Sequence, residues 1–159
     1  MTRAFYAGSF DPMTYGHLDI ITRASQLFDE VVVGVMYNPK KTGFFTWEER
    51  QALMEPHLPT NVTVNLYEQQ LTVTAAKQSR ADVLIRGLRT PMDMIEEQTM
   101  ATLNYEQAQI ETLFLMTRPQ FQAISSSRVR ELWQFGGDIT SYVPANIVTA
   151  MGEKRRELS

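Results

Sequence analysis

Short apolar runs alternate with longer amphipathic ones along the chain. Ala4 to Ala7 reads as a strand that ends at Gly8. Leu18, Ile21, Ser25 and Phe28 recur at helical spacing, which predicts a helix from about Gly16 to Phe28. Val31 to Met36 (VVVGVM) is uniformly apolar and rich in β-branched residues, the pattern of a strand buried on both faces. Thr46 and Glu49 form a capping-box pattern that opens a helix towards Met54. Asn61 to Leu66 alternates as a third strand, Thr72 to Ser79 reads as a helix, and Val83 to Ile85 is a short buried strand stopping at Arg86-Gly87. A long helical stretch from Pro91 to Gln109 leads to a fifth strand, Thr112 to Met116. Ser126 to Phe135 is helical and ends at Gly136-Gly137, a C-cap signal. Pro144 opens the last helix, and the closing EKRRELS reads as a frayed, solvated tail over about residues 153–159.

The order β-α-β-α-β-α-β-α-β-α-α predicts the α/β class: a single Rossmann-like, doubly wound domain spanning residues 1–159, with a five-stranded parallel sheet covered on both sides. In such sheets ligands bind beyond the carboxyl ends of the strands, at the switch in strand order. The unusual polar residues follow strand ends here: GSFDPMTYGH, NPKKTGFF, YEQQLT, RGLRT and TRPQFQAISSSR. The loops of the opposite rim (LFDE, EPHLPT, QSRAD) are ordinary.

Composition narrows the chemistry. With 159 residues, 43% hydrophobic and 21% charged, the chain fits one globular domain rather than a disordered segment. A net charge of −3 provides no chain-wide attraction for nucleic acid, so any anion site is a local basic cluster. There is no Cys, which removes disulfides, thiolate metal sites and Cys nucleophiles and fits a cytoplasmic protein. The first ten residues lack the pattern of a signal peptide, and no apolar run approaches a membrane span. GxGxxG, GxxxxGK[ST], GxSxG and HExxH are all missing, and a metal cage built by protein groups alone is not expected.

What remains is a set of anion-binding devices. Gly8 allows close backbone approach and Ser9 supplies a hydroxyl at a strand end. Gly16 and His17 open one helix and Ser125, Ser126 and Ser127 another, both with free N–H groups and a favourable dipole. Lys41, Arg86, Arg89 and Arg128 add positive charge. Two such helix starts with these cations suit a nucleoside triphosphate. With no activated nucleophile in sight, the chemistry that fits is nucleotidyl transfer onto a phosphate of a second substrate. Such a reaction needs alignment and charge stabilisation rather than covalent help. An imidazole at a helix start suits donation to a phosphate oxygen in the transition state.

Gly8-Ser-Phe-Asp-Pro12, Thr14-Tyr-Gly-His17 and Ile124-Ser-Ser-Ser127 resemble the nucleotidylyltransferase superfamily, with its T/HxGH and ISSS-type motifs. Asn38-Pro-Lys-Lys41, Phe45-Thr-Trp-Glu-Glu-Arg50, Val83-Leu-Ile-Arg-Gly-Leu-Arg89 and Gly136-Gly-Asp-Ile139 with Val143-Pro144 narrow the resemblance to the bacterial phosphopantetheine adenylyltransferase family, over nearly the whole chain. That resemblance implies the reaction of ATP with 4′-phosphopantetheine to give dephospho-coenzyme A and pyrophosphate, with Mg²⁺ bound alongside ATP. It implies direct in-line attack without a covalent enzyme intermediate. His17, Lys41 and Arg89 become the catalytic set, with His17 stabilising the pentavalent transition state. Ser9 contacts both substrates, Lys41 and Arg86 hold the acceptor phosphate, and Thr72 meets the pantetheine arm. ATP contacts fall to Phe10, His17, Gly87, Leu88, Arg89 and Glu97, and to the stretch Phe121, Gln122, Ala123, Ile124, Ser125, Ser126 and Ser127. The family is typically a homohexamer with coenzyme A as feedback inhibitor, and works without nucleic acid or membrane.

Departures from the family pattern lie on the nucleotide side. Glu96 stands where the family usually has Tyr, Pro119 to Ala123 replaces a YSF-like run, and Ser9 replaces a frequent Thr while keeping the hydroxyl. Glu97 reads either as an ATP contact or as a surface charge, and Asp11 as a turn cap or a group that orients a neighbour. His57 reads as a surface-loop residue, and the Met residues and Trp133 as core or interface. Two other readings stay open on sequence: a nucleotidylyltransferase for nicotinamide mononucleotide or glycerol phosphate, and a nucleotide-binding regulatory module. The acceptor-side loops carrying Lys41 and Arg86 weigh against both.

Overall fold

The computed structural model describes all residues from Met1 to Ser159. Five strands, β1 (Arg3–Gly8), β2 (Glu30–Tyr37), β3 (Val62–Glu68), β4 (Val83–Leu88) and β5 (Glu111–Met116), pair in parallel in the order β3-β2-β1-β4-β5. The helices are α1 (Tyr15–Leu27), α2 (Trp47–Met54), α3 (Thr72–Gln78), α4 (Pro91–Ala108), α5 (Ser126–Gln134) and α6 (Ala145–Leu158). The chain winds outward from β1 to β3, crosses over through α3, and winds the other way through β4 and β5, so the switch falls between β1 and β4. The doubly wound α/β fold expected from the hydrophobic pattern is the fold observed. No helix is long and apolar enough to cross a membrane.

Strand residues alternate between two cores, as the two-residue strand period requires. Ala4, Tyr6, Val31, Val33, Val83 and Ile85 face α1, α2, α5 and α6, where Ile21, Met54, Val129, Ile147 and Met151 complete the larger core. Phe5, Ala7, Val32 and Leu84 face the opposite way, against Val73, Ala75 and Ala76 of α3. Gly34 is fixed by this second core: a Cβ there would lie 2.1 Å from Phe5 Cζ, and Phe5 is fully buried.

Four details differ from the sequence expectation. β4 continues past Ile85 through Arg86 and Gly87 to Leu88, because Phe114 to Met116 of β5 pair with it. The C-terminal residues are not frayed: α6 runs to Leu158, held by Lys154 Nζ bonding Glu49 Oε1 at 3.0 Å and by Arg155 lying 4.7 Å over the Trp133 ring. Coverage of the sheet fails at one edge. No residue of α4 is buried, and Met92, Ile95, Met100 and Leu103 stand exposed together with Leu113 and Met116 of β5. His57 is less free than a surface loop suggests: it shares a 2.8 Å hydrogen bond with Asn146, whose amide donates to the Leu53 carbonyl.

Gly34→Ala is expected to lower stability by about 1–3 kcal/mol, because the added methyl overpacks the Phe5 pocket. A urea titration checks this as a lower midpoint at unchanged slope; an unchanged midpoint would mean that the pocket yields freely.

Candidate active site

The carboxyl ends of β1 and β4 open into a cavity of about 430 Å³. Its position follows from topology, since connections leave the sheet in opposite directions at the switch and expose the strand ends. β1 contributes Gly8 and Ser9, the start of α1 gives Gly16 and His17, β4 gives Arg86, Gly87 and Arg89, and the α5 side gives Phe121, Ile124 and Ser125. Glu97 enters from α4. These residues, drawn from five elements of the fold, share one space.

The loop after β1 owes its shape to a buried carboxylate. Phe10 takes a left-handed backbone (φ 48) that turns its ring back over Gly8, where a Cβ would lie 3.0 Å from the ring. The Asp11–Pro12 peptide is cis. Asp11, 6% exposed, accepts from the Phe44 N–H at 2.7 Å, the Phe45 N–H at 2.8 Å and Arg50 Nη2 at 3.1 Å. Arg50, 4% exposed, also donates to the carbonyls of Phe45 (3.0 Å) and Ser9 (3.1 Å). Asp11 is therefore the group that orients its neighbours rather than a simple turn cap.

His17 occupies N3 of α1 and takes part in its capping box. The Thr14 N–H donates to His17 Nδ1 at 3.0 Å, and the His17 N–H donates to Thr14 Oγ1 at 3.3 Å. Because Nδ1 accepts a backbone proton, the neutral ring carries its own proton on Nε2. Burial pushes the imidazole pKa down from 6.5 to about 4, helped by the charges of Arg86 and Arg89. The ring is thus neutral near pH 7, with its proton on the nitrogen that the capping box leaves free.

Arg86 is held in one orientation. Its Nε donates to Glu97 Oε2 at 3.0 Å, its Nη2 to Glu97 Oε1 at 2.6 Å and its Nη1 to the Ala7 carbonyl at 2.9 Å. Burial opposes the charged guanidinium, but hydrogen bonding to Glu97 and that carboxylate's charge outweigh it and raise the pKa. Glu97 is thus neither a free surface charge nor an open ligand contact in this state. Arg89 Nη1 donates to the Ile124 carbonyl at 3.2 Å, and its backbone N–H donates to Asp93, the N3 residue of the α4 capping box. Ser125 caps α5 by accepting from the Arg128 N–H at 3.2 Å and shares a 3.2 Å bond with Ser127. The Ser126 hydroxyl donates to the Pro12 carbonyl at 2.7 Å, tying the two helix starts together.

Some expected residues stand apart. The Phe10 ring is buried beneath His17, 5.0 Å away and edge-on, and Leu88 is buried in β4. Lys41, Gln122 and Ala123 lie exposed outside the cavity lining. Thr72 lines an adjoining cleft of about 280 Å³ with Leu84, Met100 and Asn104; the two spaces share Ala7, Arg86, Glu96 and Glu97. Tyr6, Thr14, Ile20, Asp93 and Thr117 line the main cavity without having been expected there. Thr14 and Asp93 were legible as the Thr14-x-x-His17 and Thr90-x-x-Asp93 spacings of capping boxes.

A neutral donor at a helix start, two cations and a second helix start around one cavity define an anion-handling site of the nucleotidyltransferase kind. The chain matches the cytidylyltransferase-like family over residues 5–132. It is 44% identical over 155 residues to the phosphopantetheine adenylyltransferase of Streptococcus gordonii, covering 96% of this chain and 94% of that protein. With that of Levilactobacillus brevis it shares 47% identity over 154 residues, 95% of each chain. Among solved structures, a Vibrio parahaemolyticus protein described provisionally as a nicotinate-nucleotide adenylyltransferase superposes with a TM-score of 0.68 at 16% identity, covering 94% of this chain and 91% of that one, which shows the shared fold. The chain belongs to the phosphopantetheine adenylyltransferases, nucleotidyltransferases of coenzyme A biosynthesis.

The capping box makes a spectroscopic prediction. The unfolded chain takes up a proton on this histidine near pH 6.5 and the folded chain only near 4. Stability from this group is therefore complete above pH 6.5 and lost as pH falls towards 4. Nitrogen-15 NMR of the imidazole is expected to show a protonated Nε2, an unprotonated Nδ1 and a midpoint near 4. A midpoint near 6.5 or a protonated Nδ1 in the neutral ring would contradict the geometry.

Proposed function

We propose that the chain transfers the adenylyl group of ATP to 4′-phosphopantetheine by direct in-line attack of the acceptor phosphate on the α-phosphorus. The new bond joins an acceptor phosphate oxygen to that phosphorus. The bond to the bridging oxygen breaks, and pyrophosphate leaves with the electron pair. The observation that carries this reading is the neutral, Nε2-protonated His17 facing the same cavity as Arg86 and Arg89. A fixed N–H donor stabilises charge that grows on phosphoryl oxygens without needing to give up its proton.

The roles distribute along the cavity. Arg86, aimed by Glu97 and the Ala7 carbonyl, takes the acceptor phosphate, and the adjoining cleft with Thr72 takes the apolar and amide-bearing pantetheine arm. Ser9 stands between the two substrates. Lys41, on the loop that Asp11 anchors, closes on the phosphates from the rim. Gly87, Leu88 and Arg89, the backbone at Phe10 and the stretch Phe121 to Ser127 surround the nucleotide, and Glu97 meets it when ATP is bound. Mg²⁺ would come with ATP, held by the nucleotide's phosphates and water, and would supply charge neutralisation there. No group of three or more His, Cys, Asp or Glu could hold a metal ion, and Asp93 and Glu97 are engaged by Arg89 and Arg86. Coenzyme A, which shares the pantetheine arm, competes for the same cleft as feedback inhibitor. The setting is the cytoplasm.

The uncovered apolar surface of α4 and β5 supports a homo-oligomer, a hexamer by family resemblance. Light scattering coupled to size exclusion is expected to give a mass near six times 18.2 kDa. A monomer mass would refute the assembly.

Pyrophosphate release with ATP, Mg²⁺ and each of 4′-phosphopantetheine, nicotinamide mononucleotide and glycerol 3-phosphate tests the reaction itself. Release with the first alone is expected; ATP binding without release would overturn the assignment. His17→Ala is expected to lower kcat by about 10²–10³-fold or more while ATP affinity changes little, because its contribution lies in the transition state.

A further inference from the structure

Tyr6 lies in β1 beneath the cavity floor, and none of the roles above uses it. Its ring is 6% exposed and stands edge-on to Phe10, with centroids 5.4 Å apart and planes at 78°. Phe10 in turn supports His17. Tyr6 is nevertheless one of the residues that line the 430 Å³ cavity. Its hydroxyl has no hydrogen-bond partner in the protein, and it is not among the sealed, unpartnered polar atoms, which are Gln70 Oε1 and Thr112 Oγ1. The hydroxyl therefore keeps some accessibility, in a residue that lines the cavity.

The charged groups acting on that hydroxyl are Arg86, Glu97 and Arg89. Burial holds its pKa up at about 12, so it stays a neutral O–H across the working range. The arginines cannot accept a proton from it, since a guanidinium has donors only. Glu97 already accepts from Nε and Nη2 of Arg86. A buried phenol ordinarily finds a partner, and here the fold supplies none. Of the carboxylates lining the space, Asp93 and Glu97 are engaged by Arg89 and Arg86, and Glu96 is not among the charges acting on this hydroxyl; His17 Nε2, Arg86, Arg89 and the start of α5 converge as donors, so the partner that suits the hydroxyl is an acceptor-rich ligand.

We propose that the Tyr6 hydroxyl is a substrate-contacting donor that bonds a phosphate oxygen of the ligands held in the cavity. This rests on the phosphoryl-transfer reading of the site. A neutral donor placed among fixed cations adds a directional bond without adding charge, and at the end of a paired strand it costs little further ordering when substrate arrives.

Tyr6→Phe in the full chain keeps the ring and its edge contact with Phe10 and removes only the hydroxyl. The melting temperature is expected to stay put while kcat/KM for ATP or for 4′-phosphopantetheine falls about ten-fold or more, the loss of one hydrogen bond to a charged acceptor. Unchanged kinetics would overturn the proposal, and so would a loss that merely tracks a lowered melting temperature. If the parent protein fails to turn over 4′-phosphopantetheine, the proposed function fails instead. Calorimetric binding of ATP and of inorganic pyrophosphate then reads the hydroxyl directly: weaker binding to Tyr6→Phe supports the contact, and equal binding refutes it.

Discussion

Asp11 is the point at which the loops after β1 and β2 become one piece. Its carboxylate is nearly sealed from water and satisfied by two backbone N–H groups and the Arg50 guanidinium, which also grips the Ser9 and Phe45 carbonyls. A buried ion pair is a weak source of stability, because desolvation offsets much of its attraction. Its value here is positional. With three hydrogen bonds to the carboxylate and three from the guanidinium, the turn from Gly8 to Pro12 is held in one arrangement, which carries Ser9, Phe10 and the approach to α1. The same clamp ties Phe44 and Phe45, which follow Lys41 in the loop after β2, to the turn after β1.

Much of this was legible in the sequence, for identifiable reasons. Strand-helix alternation and the runs Ala4–Ala7 and Val31–Met36 depend on local periodicity, so the sheet and its helices could be read directly. The site could be placed on one rim because its residues cluster after strand ends. The rest depends on contacts between distant segments. Arg86 and Glu97 meet across 11 residues of chain, and Ser126 and Pro12 across 114; no local pattern reports either bond. Tyr6 read as one apolar strand residue among several, since nothing local shows that its ring ends at a cavity. The order of residues 154–158 was missed because a charged run reads as solvated, whereas Lys154 pairs with Glu49 and sits over the Phe45 ring, and Arg155 lies over the Trp133 ring.

The charged groups around the cavity differ in how firmly they are held. Arg86 is paired with Glu97 and held in one orientation by it and by the Ala7 carbonyl. The charges of Arg86 and Arg89 also help keep His17 neutral, which suits a group that donates rather than exchanges a proton. Lys41, by contrast, stands on an exposed segment.

The Thr14–His17 pair has a consequence for how this protein can change. One imidazole both caps the start of a helix and lines the cavity, so selection cannot tune the two separately. A replacement at 17 must offer an acceptor to the Thr14 amide and a donor on its far side, a combination that among the other side chains only a carboxamide approaches. Architecture and chemistry are inherited there as one unit, which narrows the set of sequences able to drift through that position.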